Sequence, residues 1–290
     1  MHYVKAKSIL SPSNGMNLYR GCTHGCIYCD SRSLCYHMNH AFEDIEVKEN
    51  AIELLDDRLR RKRKKCMIGL GAMSDPYMPI ERTLCYTRRA LKAAYSHGFG
   101  FTLITKSDLV LRDIDILKAI NEKTKCVIQM TLTTYDDSLC RIIEPNAPVI
   151  SERVRALKAL RDAGIPTVIW LSPILPFIND TAENISGIME YAREAGAYGI
   201  ICFGMGLTLR EGNREYFYRA LDKSFPGIKE MYIERYGMKY IIESPNSIEL
   251  NRLFCSMADQ YGIIHDNDRL FRYLSEFEDR DEPKQLTLFD

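Results

Sequence analysis

Short apolar runs alternate with amphipathic stretches through the first two-thirds of this chain. Met16–Arg20, Lys65–Leu70, Phe101–Thr105, Cys126–Thr133, Thr167–Ser172 and Gly199–Gly204 are rich in aliphatic residues. Such runs predict strands buried on both faces of a parallel sheet. Between them, residues near 43–62, 83–97, 113–121, 151–163 and 182–195 carry helical spacing. Ser151 stands as an N-cap without the full capping box, and Asn179-Asp180-Thr181 precedes the last of these helices. Gly164, ahead of Pro166, and Gly196 lie where C-terminal glycines belong. Six βα units in succession predict an α/β fold, a partial six-unit TIM-type barrel over residues 1–206. A doubly wound sheet is the alternative, because strand order is not written in one sequence.

The pattern changes after residue 207, where Arg214–Tyr218 and Met231–Tyr236 are aromatic, charged and helical in character. Residues 207–275 therefore read as a helical extension packed on the barrel, and residues 276–290 as a flexible tail. Hydrophobic residues make up 46% of the 290, enough for one large core. Lysine plus arginine and aspartate plus glutamate number 39 each, so overall charge does not point to a polyanionic partner. Apolar stretches are too short for a membrane span, and residues 1–20 lack the apolar core of an export signal. With ten cysteines and no such signal, the expectation is a cytoplasmic protein with reduced thiols.

Three of those cysteines carry the chemistry. Cys22, Cys26 and Cys29 lie in Arg20-Gly-Cys-Thr-His-Gly-Cys-Ile-Tyr-Cys-Asp30, spaced Cys-x3-Cys-x2-Cys. A cubane iron–sulfur cluster is normally held by four thiolates, so three leave one iron open to a further ligand. Gly21 and Gly25 allow the backbone to curl around an inorganic core. A zinc site or a group of buried thiols is the alternative. Zinc knuckles, however, come with a second close pair, which Cys35, Cys66, Cys85, Cys126, Cys140, Cys202 and Cys255 do not form. His24 reads as a loop residue bonding its neighbours. The triad follows the first strand, at the C-terminal rim where barrels place their sites.

This loop resembles that of the radical S-adenosylmethionine enzymes. The later strand ends extend the likeness: Gly69–Glu81 with its Asp75-Pro-Tyr-x-Pro-x-Glu81, Thr105-Lys-Ser-Asp108, Leu111-Arg-Asp113, Thr131–Thr134 with Ile143-Glu-Pro145, and Leu171–Pro176. Together, over most of residues 15–265, they resemble the spore photoproduct lyase-like branch, often labelled DNA repair photolyases. The resemblance implies a radical-type barrel in which Cys22, Cys26 and Cys29 bind a [4Fe–4S] cluster. Tyr28 would lie against adenine, and Ser74, Lys106, Thr131 and Ser172 would contact S-adenosylmethionine. It also implies a 5′-deoxyadenosyl radical, a nucleic-acid substrate, and an electron donor of flavodoxin or ferredoxin type. Each lone Ser or Thr is equally a strand-end hydrogen-bonding residue, whereas a lysine in an apolar strand end needs a partner.

One departure matters. The spore lyase has a hydrogen-donating cysteine where this chain has Ala72. Cys35 and Cys202 are the remaining donor candidates, set against their reading as inert buried thiols, and Cys66 lies at the opposite end of the barrel. Gly69-x-Gly71 lacks the third glycine of a dinucleotide loop. The basic run Arg58–Lys65 reads as a helix end on the bottom rim rather than a nucleic-acid site. Arg112, Arg141 and Arg210 are the expected top-rim DNA contacts. Gln285, Leu286, Leu288 and Phe289 resemble the peptide that docks on the bacterial DNA sliding clamp, the alternative being a tail folded back on its own core. Two competing readings remain: radical modification of a protein, RNA or small molecule, and a non-catalytic iron–sulfur or zinc protein.

Overall fold

The computed structural model describes residues 1–280. Six parallel strands form the central sheet: β1 (Gly15–Met16), β2 (Met67–Leu70), β3 (Gly100–Thr105), β4 (Cys126–Thr131), β5 (Thr167–Trp170) and β6 (Gly199–Ile201). Their spatial order is their chain order. A doubly wound sheet would reverse direction at a switch point; this one does not, and the partial barrel is the fold. Every β4 residue is buried, which explains its largely apolar sequence, and the one amide in it, Gln129, is hydrogen-bonded to Thr102 and Trp170. Helices α1 (Ala51–Arg61), α2 (Tyr86–Ser96), α3 (Ile114–Lys123), α4 (Ile150–Asp162) and α5 (Ala182–Ala195) complete the units. Their apolar faces join the outward residues of the sheet in one continuous core that includes Leu55, Leu91, Ile128, Leu157 and Ile169.

Where sequence periodicity and structure differ, a specific polar contact decides. The expected strand Met16–Arg20 is divided: its start pairs with β2, while Tyr19–Arg20 pairs antiparallel with Glu46–Lys48. That segment was expected to be helical, but Val47 is buried between two half-exposed neighbours, the alternation of a strand. Helix 83–97 is broken at Cys85, which takes φ 53°. The break returns the buried Glu81 carboxylate to accept from the Thr87 N–H at 2.9 Å, at the start of α2. Ser151 is inside α4 rather than capping it; its hydroxyl bonds Asp137, and the first free N–H belongs to Val149, which donates to Glu152 at 3.0 Å. Thr181 caps α5 as expected. The short helix Asp137–Ile143 was not foreseen.

The extension is not wholly helical. Gly206–Thr208 (β7) and Ile241–Glu243 (β8) pair antiparallel above the barrel, flanking α6 (Asn213–Ser224) and α7 (Ile228–Tyr236). Arg214 holds this lobe together, donating to the carbonyls of Leu209, Gly237 and Lys239 at 2.7, 3.1 and 2.6 Å. Helix α8 (Ser247–Tyr261) covers α5, and Ile264 then bridges Gly199 in parallel as a vestigial seventh strand. Helix α9 (Asn267–Ser275) lies on the inner face of the open sheet, with Leu270 and Leu274 against Val127, Val168 and Ile201.

The tail expected to begin at residue 276 is anchored through residue 280. Glu278 pairs with the fully buried Lys125 at 2.8 Å, and the Arg280 N–H donates to the Lys123 carbonyl at 3.1 Å. The sliding-clamp-like residues Gln285, Leu286, Leu288 and Phe289 lie outside the described residues. The basic run leaves α1 toward β2 at the barrel's N-terminal end, where Lys65 bonds the His97 carbonyl at the end of α2 at 2.6 Å. That is the helix-end role.

Candidate active site

The cysteine loop is clamped from two sides by backbone bonds. The Cys22 N–H donates to the Phe42 carbonyl at 3.1 Å, and the Ile27 N–H to the Ile143 carbonyl at 2.9 Å. Asn146 adds two more bonds, its backbone N–H to the His24 carbonyl at 3.0 Å and its side chain to the Thr23 carbonyl at 2.9 Å. Gly21 takes φ 88°, where a Cβ would collide with the Phe42 carbonyl oxygen. Gly25, at φ 71°, passes against Pro145 and Asn146. Both glycines are thus required by close approach and by positive φ.

The three thiols suit a cluster better than a single ion. Their sulfurs do not all come within 4.8 Å of one another. Tetrahedral zinc, with Zn–S near ~2.3 Å, requires sulfurs spaced about 3.8 Å apart. Burial pushes the Cys22 thiol up to about 12 and Cys26 well above its ordinary value. These groups therefore become thiolates when a cluster supplies the compensating positive charge.

Two buried carboxylates organise the surroundings. Asp75, from the loop after β2, accepts from the Thr105 hydroxyl and the Lys106 N–H at 2.7 Å each, and from the Tyr77 N–H at 2.8 Å. Its other neighbour is His24 of the cysteine loop, at 3.1 Å. Burial opposes the Asp75 charge, but His24 and these donors outweigh it and hold the carboxyl at about 2. Glu144 is fully buried and pairs with Arg153, also fully buried, while accepting from the Tyr28 hydroxyl. Burial favours neutral Glu144; Arg153 and Lys106 nearby hold it below the usual carboxylate range. Lys106 shows the converse balance, in which Cys26 and Glu144 outweigh burial and raise it.

A cavity of about 650 Å³ opens beside this loop, within the range of small-molecule sites. Of the expected cofactor contacts, Tyr28, Lys106 and Ser172 line it together with Cys29, and the Lys106 ammonium lies 5.8 Å from the Tyr28 ring centre. Ser74 and Thr131 are buried outside that lining. The Ser74 hydroxyl donates to the Tyr19 carbonyl at 2.9 Å, a structural bond, and the Thr131 carbonyl accepts from Arg153 at 3.0 Å. Ala72 lines the cavity, whereas Cys35 and Cys202 do not. Cys35 is exposed beside Arg210, and Cys202 faces the Gly204 carbonyl. Arg112 is engaged internally with Glu81 and Asp113, so it is not the free top-rim cation expected of it. Arg141 is exposed, and Arg210 bonds the Tyr240 hydroxyl at 2.6 Å.

Sequence reasoning passed over several lining groups: Asp30, Trp170, Phe203 and the β7–β8 pair. Trp170 and Phe203 lie in the C-terminal halves of predicted strands, and their position was the available sign. Asp75 and Glu144 stood within quoted motifs but without assigned partners. Arg153, a cation on the apolar face of a predicted helix, implied a buried counter-charge.

A partial barrel with a three-thiol loop at its C-terminal rim defines a cluster-binding site of an enzyme. The radical SAM superfamily model matches residues 16–186, and the chain belongs to that superfamily, whose members bind a [4Fe–4S] cluster and S-adenosylmethionine. An uncharacterized protein of Methanocaldococcus jannaschii is 31% identical over 255 residues, covering 85% of this chain and 92% of its own length. One from Mycobacterium tuberculosis is 28% identical over 227 residues, 76% of this chain; the match spans only 66% of that relative. A radical SAM Nalpha-GlyT isomerase of Pseudomonas phage M6 is 22% identical over 84% of this chain and 51% of its own. Spore photoproduct lyase complexed with dinucleoside spore photoproduct has a similar fold, with TM-score 0.64 and 13% identity over 89% of this chain and 78% of the lyase.

Replacing Glu144 by Gln leaves the buried Arg153 charge without its partner. The expected loss is ~3–5 kcal/mol in denaturant unfolding, partly restored by Arg153→Met in the same chain. Asp75 gives a pH signature: its charge stabilises the fold above the unfolded value of ~4, and this contribution disappears as pH falls toward about 2. Asp75→Asn is expected to flatten the stability profile across that window, read from urea midpoints.

Proposed function

We propose that the chain reductively cleaves S-adenosylmethionine and uses the resulting 5′-deoxyadenosyl radical on nucleic acid, in a lyase-like reaction of DNA repair or maintenance. The observation that carries this reading is one cavity lined both by Cys29, Tyr28 and Lys106 and by the outward aromatic residues Trp170 and Phe203. It joins a cofactor end to an end fitted for flat rings. The fold it shares with a spore photoproduct lyase that binds a dinucleoside spore photoproduct is in keeping with this substrate class. A modified base has to be unstacked to enter such a cavity.

Cys22, Cys26 and Cys29 would hold the cluster. That group, when bound, would supply the single electron for reductive cleavage of the S–C5′ bond of S-adenosylmethionine. Lys106 offers its ammonium to the methionyl carboxylate and stays charged beside Glu144. Tyr28, held by its bond to Glu144, presents its ring to the adenine side, and Ser172 adds a hydroxyl. The β7–β8 pair walls the cavity against water through Leu207 and Ile242. Apart from Cys29, no lining residue carries a thiol, so product quenching by a cysteine at the Ala72 position is not built in. A flavodoxin- or ferredoxin-type protein would supply the electron. The Gln285–Phe289 segment would dock on a sliding clamp and bring the enzyme to DNA.

After anaerobic reconstitution we expect a broad absorbance near ~400 nm and formation of 5′-deoxyadenosine, both lost in Cys26→Ala. Perdeuterated DNA substrates are expected to place deuterium in that 5′-deoxyadenosine, read by mass spectrometry. Continued cleavage with no deuterium from any DNA would turn the reading toward RNA, protein or a small molecule. A peptide of residues 280–290 is expected to bind purified clamp, and Leu288→Ala with Phe289→Ala to abolish binding; absence of binding by the unaltered peptide removes the docking proposal.

A further inference from the structure

Three aromatic side chains meet at the open side of the barrel, and the cofactor does not account for them. Phe203, just after β6, is 63% exposed, and Phe271 of α9 is 41% exposed. Trp170, at the end of β5, touches both, with ring centres 5.8 Å from Phe203 and 6.1 Å from Phe271; the two phenylalanines stack at 6.0 Å. Leaving such rings in water is unfavourable, and a cluster of them beside a cavity marks a binding surface. The cluster is held from below. The Trp170 indole N–H donates to Gln129 at 2.8 Å, and the Gln129 amide donates to the Thr102 hydroxyl at 2.8 Å, so the indole is held before any ligand arrives.

Trp170 and Phe203 line the same cavity as Lys106 and Ser172, alongside the carboxylates Asp30 and Glu243. Asp30 is already engaged by the Tyr36 hydroxyl at 2.9 Å and by Arg210 at 3.6 Å, which leaves Glu243 as the acceptor for a ligand. Rings that offer a face, next to a carboxylate that accepts an N–H, match a nucleobase: its π-face stacks and its edge donates. The aromatic side chains of a peptide have the face but, tryptophan and histidine aside, no N–H on a ring edge. We infer that Trp170, Phe203 and Phe271 form a stacking platform for an unpaired base of a nucleic-acid strand, held at the mouth of the cavity that contains the radical chemistry. This rests on the nucleic-acid reading above and adds to it the element that recognises the base.

Trp170 is the single tryptophan of the chain, so its fluorescence reports directly on the platform. The test titrates the reconstituted enzyme, with S-adenosylmethionine present, with a labelled single-stranded oligodeoxynucleotide and with an abasic strand of equal length. Anisotropy and Trp170 emission are followed together. The base-bearing strand is expected to bind and change Trp170 emission. Phe203→Ala and Phe271→Ala each weaken it by about 5- to 150-fold, and Phe203→Tyr restores it. The abasic strand is expected to bind weakly and to be indifferent to these changes. The exposure of both phenylalanines favours intact folding of the variants, which an unchanged thermal midpoint verifies. Wild-type affinity in both alanine variants overturns the platform, as does equal sensitivity of the abasic strand, or a Trp170 response to an aromatic peptide but not to DNA. If deuterium still passes from labelled DNA in such a case, only the platform fails; if no strand binds and no deuterium passes, the nucleic-acid reading fails with it.

Discussion

The buried pair Glu144–Arg153 is the constraint on which the site depends. Neither side chain reaches solvent, and the pair joins three parts of the chain that are distant in sequence. Arg153 ties α4 to the end of β4 through the Thr131 carbonyl, Tyr28 brings in the cysteine loop, and the neighbouring Ile143 carbonyl accepts from Ile27. Burying two ions costs several kcal/mol each, which their attraction offsets only with good geometry and further hydrogen bonds. Here the Thr133 hydroxyl at 3.3 Å and the Cys140 thiol at 3.6 Å complete the Glu144 shell. The gain is placement: Tyr28 is oriented by a carboxylate that has no freedom of its own, and the same negative charge favours the Lys106 ammonium nearby.

Asp75 plays the matching part on the other side of the loop. It converts the ends of β2 and β3 into one unit and presents His24 from the cysteine loop to the same carboxylate. The two carboxylates thus add side-chain anchors to the backbone bonds that clamp the cysteine loop. A cluster loop that must receive an inorganic core benefits from such preformed walls, because ordering it at the moment of binding would consume affinity. The extension then closes one side of the cavity with β7 and β8, while α9 fills the lower barrel and brings Phe271 beside the rim.

The barrel was legible because its strands are buried on both faces and read as aliphatic runs. Cys126–Thr131 and Gly100–Thr105 differ from their expected spans only at the ends. The short β1 was misread because Tyr19–Arg20 has the composition of a barrel strand yet finds its partner at Glu46–Lys48. Cys85 broke a helix whose residues favour continuation, since the Glu81 carboxylate returns to Thr87. In the site, Lys106 and Tyr28, singled out from motifs, share the cavity, and the Ser74 hydroxyl donates to the Tyr19 carbonyl. A hydroxyl at a strand end has several nearby acceptors, and sequence spacing does not choose among them.

By itself the sequence determined the kind of chemistry: three thiols at Cys-x3-Cys-x2-Cys, glycines that let the loop curl, and the repeated βα pattern that sets a barrel beneath it. These are local properties, carried by neighbouring residues and backbone conformation. The tertiary structure alone decided which distant groups face one another: Asp75 with His24, Glu144 with Arg153 and Tyr28, and Trp170 with Phe203 and Phe271. Each of these depends on strand order and on where the extension folds back, and neither is encoded in the spacing of neighbouring residues.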